Sequence, residues 1–155
     1  MPAPAAVIVG LGACLPARRI TNAQLQDSLH TSDAWIRQRT GIASRHWADP
    51  GISTGDLAVT AGRLALASAQ TTTVDLVIVA TTTPDHRCPA TAPHVAWRLG
   101  LDQAPAFDLA AVCSGFLYAL SMASATIRAQ AHHQVLVIGA ETYSTIIDPE
   151  DRTCA

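Results

Sequence analysis

The apolar positions of this chain fall into blocks whose period switches between that of a strand and that of a helix. Four short apolar runs, over residues 6–11, 75–81, 106–112 and 134–140, predict buried strands. Between them apolar residues recur at helical spacing. Thr21 and Asn22 are placed to cap a short helix over 23–29, and Ser32 with Asp33 to cap a second carrying Trp35, Ile36, Arg37 and Arg39. Ser53 and Asp56 match a capping box, opening a helix to near Gln70 with Leu57, Thr60, Ala61, Leu64 and Leu66 among its inner positions. A helix through Val95, Trp97 and Leu99 is closed by Gly100, and a last one follows Gly115 and ends near Gln130. His46 and Trp47 read as part of an irregular loop. Strands alternating with helices predict an α/β class, with a mixed sheet between helical layers.

The run over 106–112 leads directly into Cys113, Ser114 and Gly115, and the helix opens there with Phe116, Leu117, Leu120, Met122, Ala123 and Ile127 as its apolar positions. Strand, sharp turn and helix lift one side chain above a sheet edge and aim it at a helix N-terminus. A thiol there sits at the positive end of the macrodipole, which favours thiolate over thiol. Position alone leaves two readings of Cys113 open, a nucleophile or a small packed apolar side chain.

Composition narrows the functional classes. Hydrophobic residues make up 49% of the 155 and charged ones 14%, so most elements are expected to be buried on more than one side. The length suits one domain. A formal net charge of -2 argues against nucleic-acid binding. All ten basic residues are Arg, which excludes a Walker A loop or a Schiff-base lysine in this chain. Cys14, Cys88, Cys113 and Cys154 lie far apart, without metal-ligand spacing. The adjacent pair His132 and His133 cannot face one ligand, and His86, in a loop beside Asp85 and Arg87, reads as solvated rather than catalytic. Gly10 and Gly12 begin a dinucleotide fingerprint that Leu15 and Pro16 break, so no Rossmann site is expected. No basic leader precedes the first apolar run, and no run approaches the roughly 20 residues that span a bilayer. A cytoplasmic protein is expected, with no membrane partner and no metal.

Four segments carry a family resemblance. FDLAAVCSGF (107–116) resembles the nucleophile segment of the β-ketoacyl-acyl carrier protein synthase III (ketosynthase III) family, condensing enzymes of the thiolase fold. TSDAWIRQRTGI (31–42) resembles that family's coenzyme A entry segment, and VATTTPDH (79–86) and DPEDR (148–152) match further segments in the same order. The resemblance runs from Val7 to the last residue and implies a thiolase-like fold with a buried nucleophile helix. It covers only the N-terminal half of such an enzyme, so residues 1–155 are expected to be that half.

By resemblance, Cys113 is the catalytic nucleophile and its own backbone N–H an oxyanion donor. Trp35, Arg39 and Arg152 bind the adenine and phosphate end of coenzyme A. Cys88 lines the acyl pocket, where the family typically has a bulky aromatic reaching across a homodimer. The implied reaction is acyl transfer from acyl-coenzyme A to Cys113, then decarboxylative condensation with malonyl-acyl carrier protein, initiating fatty-acid or polyketide synthesis. No cofactor beyond the coenzyme A thioester substrate is implied. The family's catalytic His and Asn belong to the other half of the fold; the only Asn here is Asn22. Two alternatives remain: a related enzyme passing the acyl group to oxygen or nitrogen, or an inactive subunit paired with an active homologue. An intact Cys113 argues against the second.

Overall fold

The structure, a computed structural model, describes residues 6–148, 150 and 151. Backbone contacts divide the chain into two compact units. One comprises residues up to Cys14 with Ser53–Glu141, the other Leu15–Ile52 with the residues from Thr142 onward.

The first unit is built on three parallel strands in the order β4-β3-β5: β3 is Leu76–Ala80, β4 Ala106–Leu109 and β5 Val135–Gly139. Ala80 pairs in register with Leu109 on one side and Gly139 on the other, so all three carboxyl ends share one edge. As the central strand, β3 is buried at every residue, which a continuous apolar run satisfies. Its alternate side chains feed two cores. Val77 and Val79 pack with Ala58, Val59, Val95 and Ala96 of helices α3 (Thr54–Ser68) and α4 (Thr91–Arg98). Leu76, Ile78 and Ala80 pack with Ala119 of α5 (Gly115–Arg128) on the opposite face.

The thiolase-like α/β class holds, with helices on both faces of the sheet. The sheet is parallel over its described strands rather than mixed; the antiparallel pairing lies in a separate ribbon of the second unit. Helix α5, expected to follow the nucleophile, is buried along one stripe only, Gly115, Ala119 and Ala123 at i, i+4 and i+8, while Phe116, Leu117 and Met122 stay exposed. Small residues let the helix lie close to the sheet, and the bulky ones point outward.

Two further sequence expectations are corrected. Residues 6–11 form no strand, because no strand among the described residues pairs with them; the Gly10 backbone instead rests on α3, where a Cβ would lie 2.7 Å from Ala69 N. The inner face of α3 is Ala58, Val59, Gly62 and Leu66, so Thr60 and Leu64 of the expected set are exposed. Its rotation is set at the start of the helix, where the Thr54 hydroxyl donates to Thr83 O at 2.6 Å. The expected capping box forms: Asp56 N–H donates to Ser53 Oγ (3.1 Å) and Ser53 N–H to Asp56 Oδ2 (2.9 Å).

The second unit pairs β1 (Arg18–Thr21) with β2 (Ser44–Trp47) antiparallel, so His46 and Trp47 belong to a strand rather than a loop. Ile20, Leu25 and Leu29 form its core, with Trp47 packed against them. Helices α1 (Asn22–Leu29) and α2 (Asp33–Thr40) are capped by Thr21 and Ser32, as their spacing predicts. Asn22 is buried and ties the unit together, donating to Asp33 Oδ1 and Ile42 O at 2.8 Å each and accepting from Arg45 at 2.7 Å.

Candidate active site

The chain leaves β4 at Leu109 and turns through a single 3-10 turn, Val112–Ser114, into α5. Ser114 N–H bonds Ala111 O and Gly115 N–H bonds Val112 O, which closes the turn. Val112 takes φ +48, the left-handed region that a β-branched residue rarely enters. Such a conformation costs on the order of 1–3 kcal/mol and persists only where the surroundings fix it. Cys113, the next residue, is an exposed free thiol. It stands at the start of α5, whose first turn holds no acidic residue and whose N-cap, Ser114, makes no side-chain bond to the helix amides. Phe116 lies across the end of β5, so close that a Cβ on Gly139 would be 3.0 Å from its ring.

The loop after β3 reaches the same edge. Asp85 accepts from Ser53 Oγ (3.1 Å) and Gly55 N–H (3.0 Å), fastening the loop to the start of α3. The Asp85 N–H donates to Thr91 Oγ1 (3.0 Å), and Asp108 of β4 accepts from the Thr91 and Ala92 N–H groups (2.9 and 2.7 Å). The segment carrying Cys88, an exposed free thiol, is therefore held at both ends, one of them on the strand that leads to Cys113. Glu141, just past β5, accepts from the Thr82 N–H (2.8 Å), the Thr82 hydroxyl (3.1 Å) and the Thr83 hydroxyl (2.8 Å).

In the second unit the i, i+4 pair Trp35 and Arg39 stacks, with the Arg39 guanidinium carbon 4.2 Å from the Trp35 ring centroid. Ile36, buried between them in sequence, anchors α2. The neighbouring Arg37 donates to both oxygens of Asp33 (2.9 and 2.8 Å). The Asn22 amide first, and Arg37 after it, hold the Asp33 carboxyl below its ordinary range. Arg37 is thus engaged, while Arg39 is exposed and makes no ion pair among the described residues. Arg152 lies outside the described residues.

The family model for 3-oxoacyl-[acyl-carrier-protein] synthase III matches residues 107–155, the stretch holding the Cys113 turn. A Streptomyces coelicolor β-ketoacyl-[acyl-carrier-protein] synthase III is 63% identical over 149 residues, covering 96% of this chain and 45% of the relative. The chain is similar to the β-ketoacyl-acyl carrier protein synthase III enzymes over nearly its whole length. It spans a little under half the length of the curated relatives it matches. The 3-oxoacyl synthase III of Pseudomonas aeruginosa superposes with a TM-score of 0.92 at 48% identity, over 97% of this chain and 47% of that one. A priming β-ketosynthase of a polyketide pathway gives 0.90 at 35% identity, over 94% and 44%.

Sequence reasoning named Cys113, Cys88, Trp35 and Arg39 but missed the carboxylates that brace the sheet edge. Asp85, Asp108 and Glu141 act on residues 30, 17 and 59 positions away, respectively. The only local sign was an acid placed inside or just beyond an apolar run.

Proposed function

We propose that this chain supplies the nucleophile half of a condensing acyltransferase. The reading rests on one observation: Cys113 is exposed in a strained turn between a half-buried parallel strand and a helix N-terminus. The Cys113 thiol loses its proton, and its sulfur attacks the carbonyl carbon of an acyl-coenzyme A thioester. The developing oxyanion accepts from the Cys113 N–H, the amide immediately before the two that close the turn. The bond from the carbonyl to the coenzyme A sulfur breaks, and the released thiolate takes up a proton. The stack of Trp35 and Arg39 holds the adenine and phosphate end of the coenzyme, with Arg152 joining it.

Malonyl-acyl carrier protein then loses carbon dioxide. The enolate carbon bonds to the acyl carbonyl, and Cys113 leaves as thiolate. Enolate stabilisation requires donors that this chain does not provide, since Asn22 is buried and fully engaged in the second unit. A His and an Asn from the remaining half of the protein fill that role, and the working enzyme is a homodimer. No cofactor enters, because the thioester itself activates the acyl group. Cys88, smaller than the aromatic usual at its place, admits primers longer or more branched than acetyl.

Intact mass of the purified native protein, before and after exposure to acyl-coenzyme A thioesters of rising chain length, tests the reading. One acyl adduct is expected, lost in Cys113→Ala and retained in Cys88→Ala. A protein that takes up no acyl group from any thioester overturns it. A sharp preference for acetyl overturns the pocket assignment alone.

A further inference from the structure

Glu141 has no part in the chemistry above, yet it gathers more hydrogen bonds than any other carboxylate at the sheet edge. Besides the Thr82 and Thr83 donors, the Thr81 hydroxyl approaches it at 3.5 Å. Thr81 and Thr83 are buried, whereas Glu141 is exposed and makes no ion pair among the described residues. Three consecutive threonines aimed at one carboxylate make a clasp between the ends of β3 and β5.

The clasp bears on the nucleophile through the residues it fixes. The Thr81 N–H bonds Leu109 O at 3.1 Å, the last carbonyl of the strand before the Cys113 turn. Ala80, one residue earlier, is the nearest neighbour of Gly115, where an added Cβ would lie 3.4 Å from the Ala80 Cβ. The strained turn at Val112 is thus flanked by the Thr81 N–H on the strand before it and by the Ala80 side chain on the helix start after it, next to the threonines that Glu141 holds. We propose that Glu141 is a positioning residue for the Cys113 turn, acting through Thr81–Thr83. This deepens the acyl-transfer reading and rests on it for its consequence in catalysis.

The test compares three variants of the native protein by two reactions at Cys113. Iodoacetamide alkylation, mapped by mass, is read as the ratio of Cys113 to Cys88, with Cys88 as internal reference. Acylation by an acyl-coenzyme A is read separately. Glu141→Ala is expected to change the alkylation ratio about fivefold and to slow acylation about tenfold or more, as small misplacements of reacting groups do. Glu141→Gln keeps an accepting oxygen for the Thr82 N–H and is expected to restore most of both rates. Asp75→Ala removes the carboxylate that accepts from the His133 and Gln134 N–H groups at the opposite, amino edge of the same sheet. It serves as the control for lost stability and is expected to leave the ratio unchanged at a comparable fall in Tm. An unchanged ratio in Glu141→Ala, or an equal change in Asp75→Ala, overturns the proposal. Absence of acylation in the wild type overturns the acyl-transfer reading instead, while the alkylation ratio still decides the role of Glu141.

Discussion

The β4-β3-β5 sheet has two faces that are finished differently. On the α3 and α4 face, Val77 and Val79 meet two helices, and the core extends through Val59, Leu66, Val95 and Ile138. On the α5 face, Ile78 is buried against the single small side chain of Ala119, and the helix turns Leu117 and Tyr118 outward at 65% and 56% exposure. Val7, Ile8 and Val9 are exposed as well. The first face buries its strand residues under two helices, whose outward sides still expose Leu64 and Trp97. The second is complete only next to the sheet. Clustered bulky apolar side chains left in solvent mark a surface made to be covered, and the chain spans under half the length of its relatives.

The largest effect should come from the layer both faces share. Ile78 is fully buried, and Ile78→Ala is expected to cost about 2–5 kcal/mol by denaturant unfolding, because the cavity sits where α5 cannot follow. A cost below about 1 kcal/mol would mean that α5 settles onto the strand, and the contrast between the faces would be one of rigidity rather than coverage.

Leu117→Gln measures the contrast directly. Placed in solvent it should change stability by no more than about 0.5 kcal/mol; covered by the rest of the native protein it should cost about 1–3 kcal/mol for the desolvated amide. We expect the larger value in the native protein. Thr60→Gln, on the exposed side of α3, supplies the reference and is expected to stay within about 0.5 kcal/mol. Equal small effects at both positions would leave the α5 face open by design.

These contrasts also explain what was legible in the sequence. Strands β3 and β5 and the helix caps at Thr21, Ser32 and Ser53 are local signals, and each is where its pattern placed it, whereas β4 is half-buried and stops at Leu109, three residues short of its apolar run. The i, i+4 spacing places Trp35 and Arg39 on one helix face, but that the guanidinium lies over the ring is visible only in the structure. The run over 6–11 is apolar like β3 but forms no strand, because a ladder needs a partner and no described strand lies beside it. Helical periodicity likewise marked Phe116, Leu117 and Met122 as apolar without revealing that small residues face the sheet. Hydrophobic pattern reports that a residue is to be buried somewhere; it does not say by which part of the protein. The clasp at Glu141 was invisible for a related reason, since its members meet only once the parallel register is set.

Smaller effects sharpen how the closed face is fastened. Ser53 caps α3 and also donates to Asp85, so Ser53→Ala should cost about 1–2 kcal/mol, at the upper part of the range for a lost N-cap. A cost of only a few tenths would show that the Thr54 and Gly55 contacts hold the helix start unaided.

The smallest effect concerns the link between the two helices of that face. Arg98 Nη1 donates to Asp56 Oδ1 at 2.8 Å, tying α4 to α3. The Ser53 N–H first, and Arg98 next, hold the Asp56 carboxyl below its ordinary range. The unfolded chain therefore binds a proton here at higher pH than the folded one does. Stability from this site is fully present above the unfolded carboxylate pKa of about 3.9 and is lost as pH falls through the depressed folded value. Asp56→Asn keeps an oxygen for the cap but removes the charge facing Arg98. Because the pair is partly exposed, the variant should be less stable than wild type at pH 7 by only about 0.2–1 kcal/mol. The two urea midpoints should converge as the pH drops below about 4. Midpoints that stay parallel across this range would show that the loss comes from cap geometry, with no contribution from the bridge between α3 and α4.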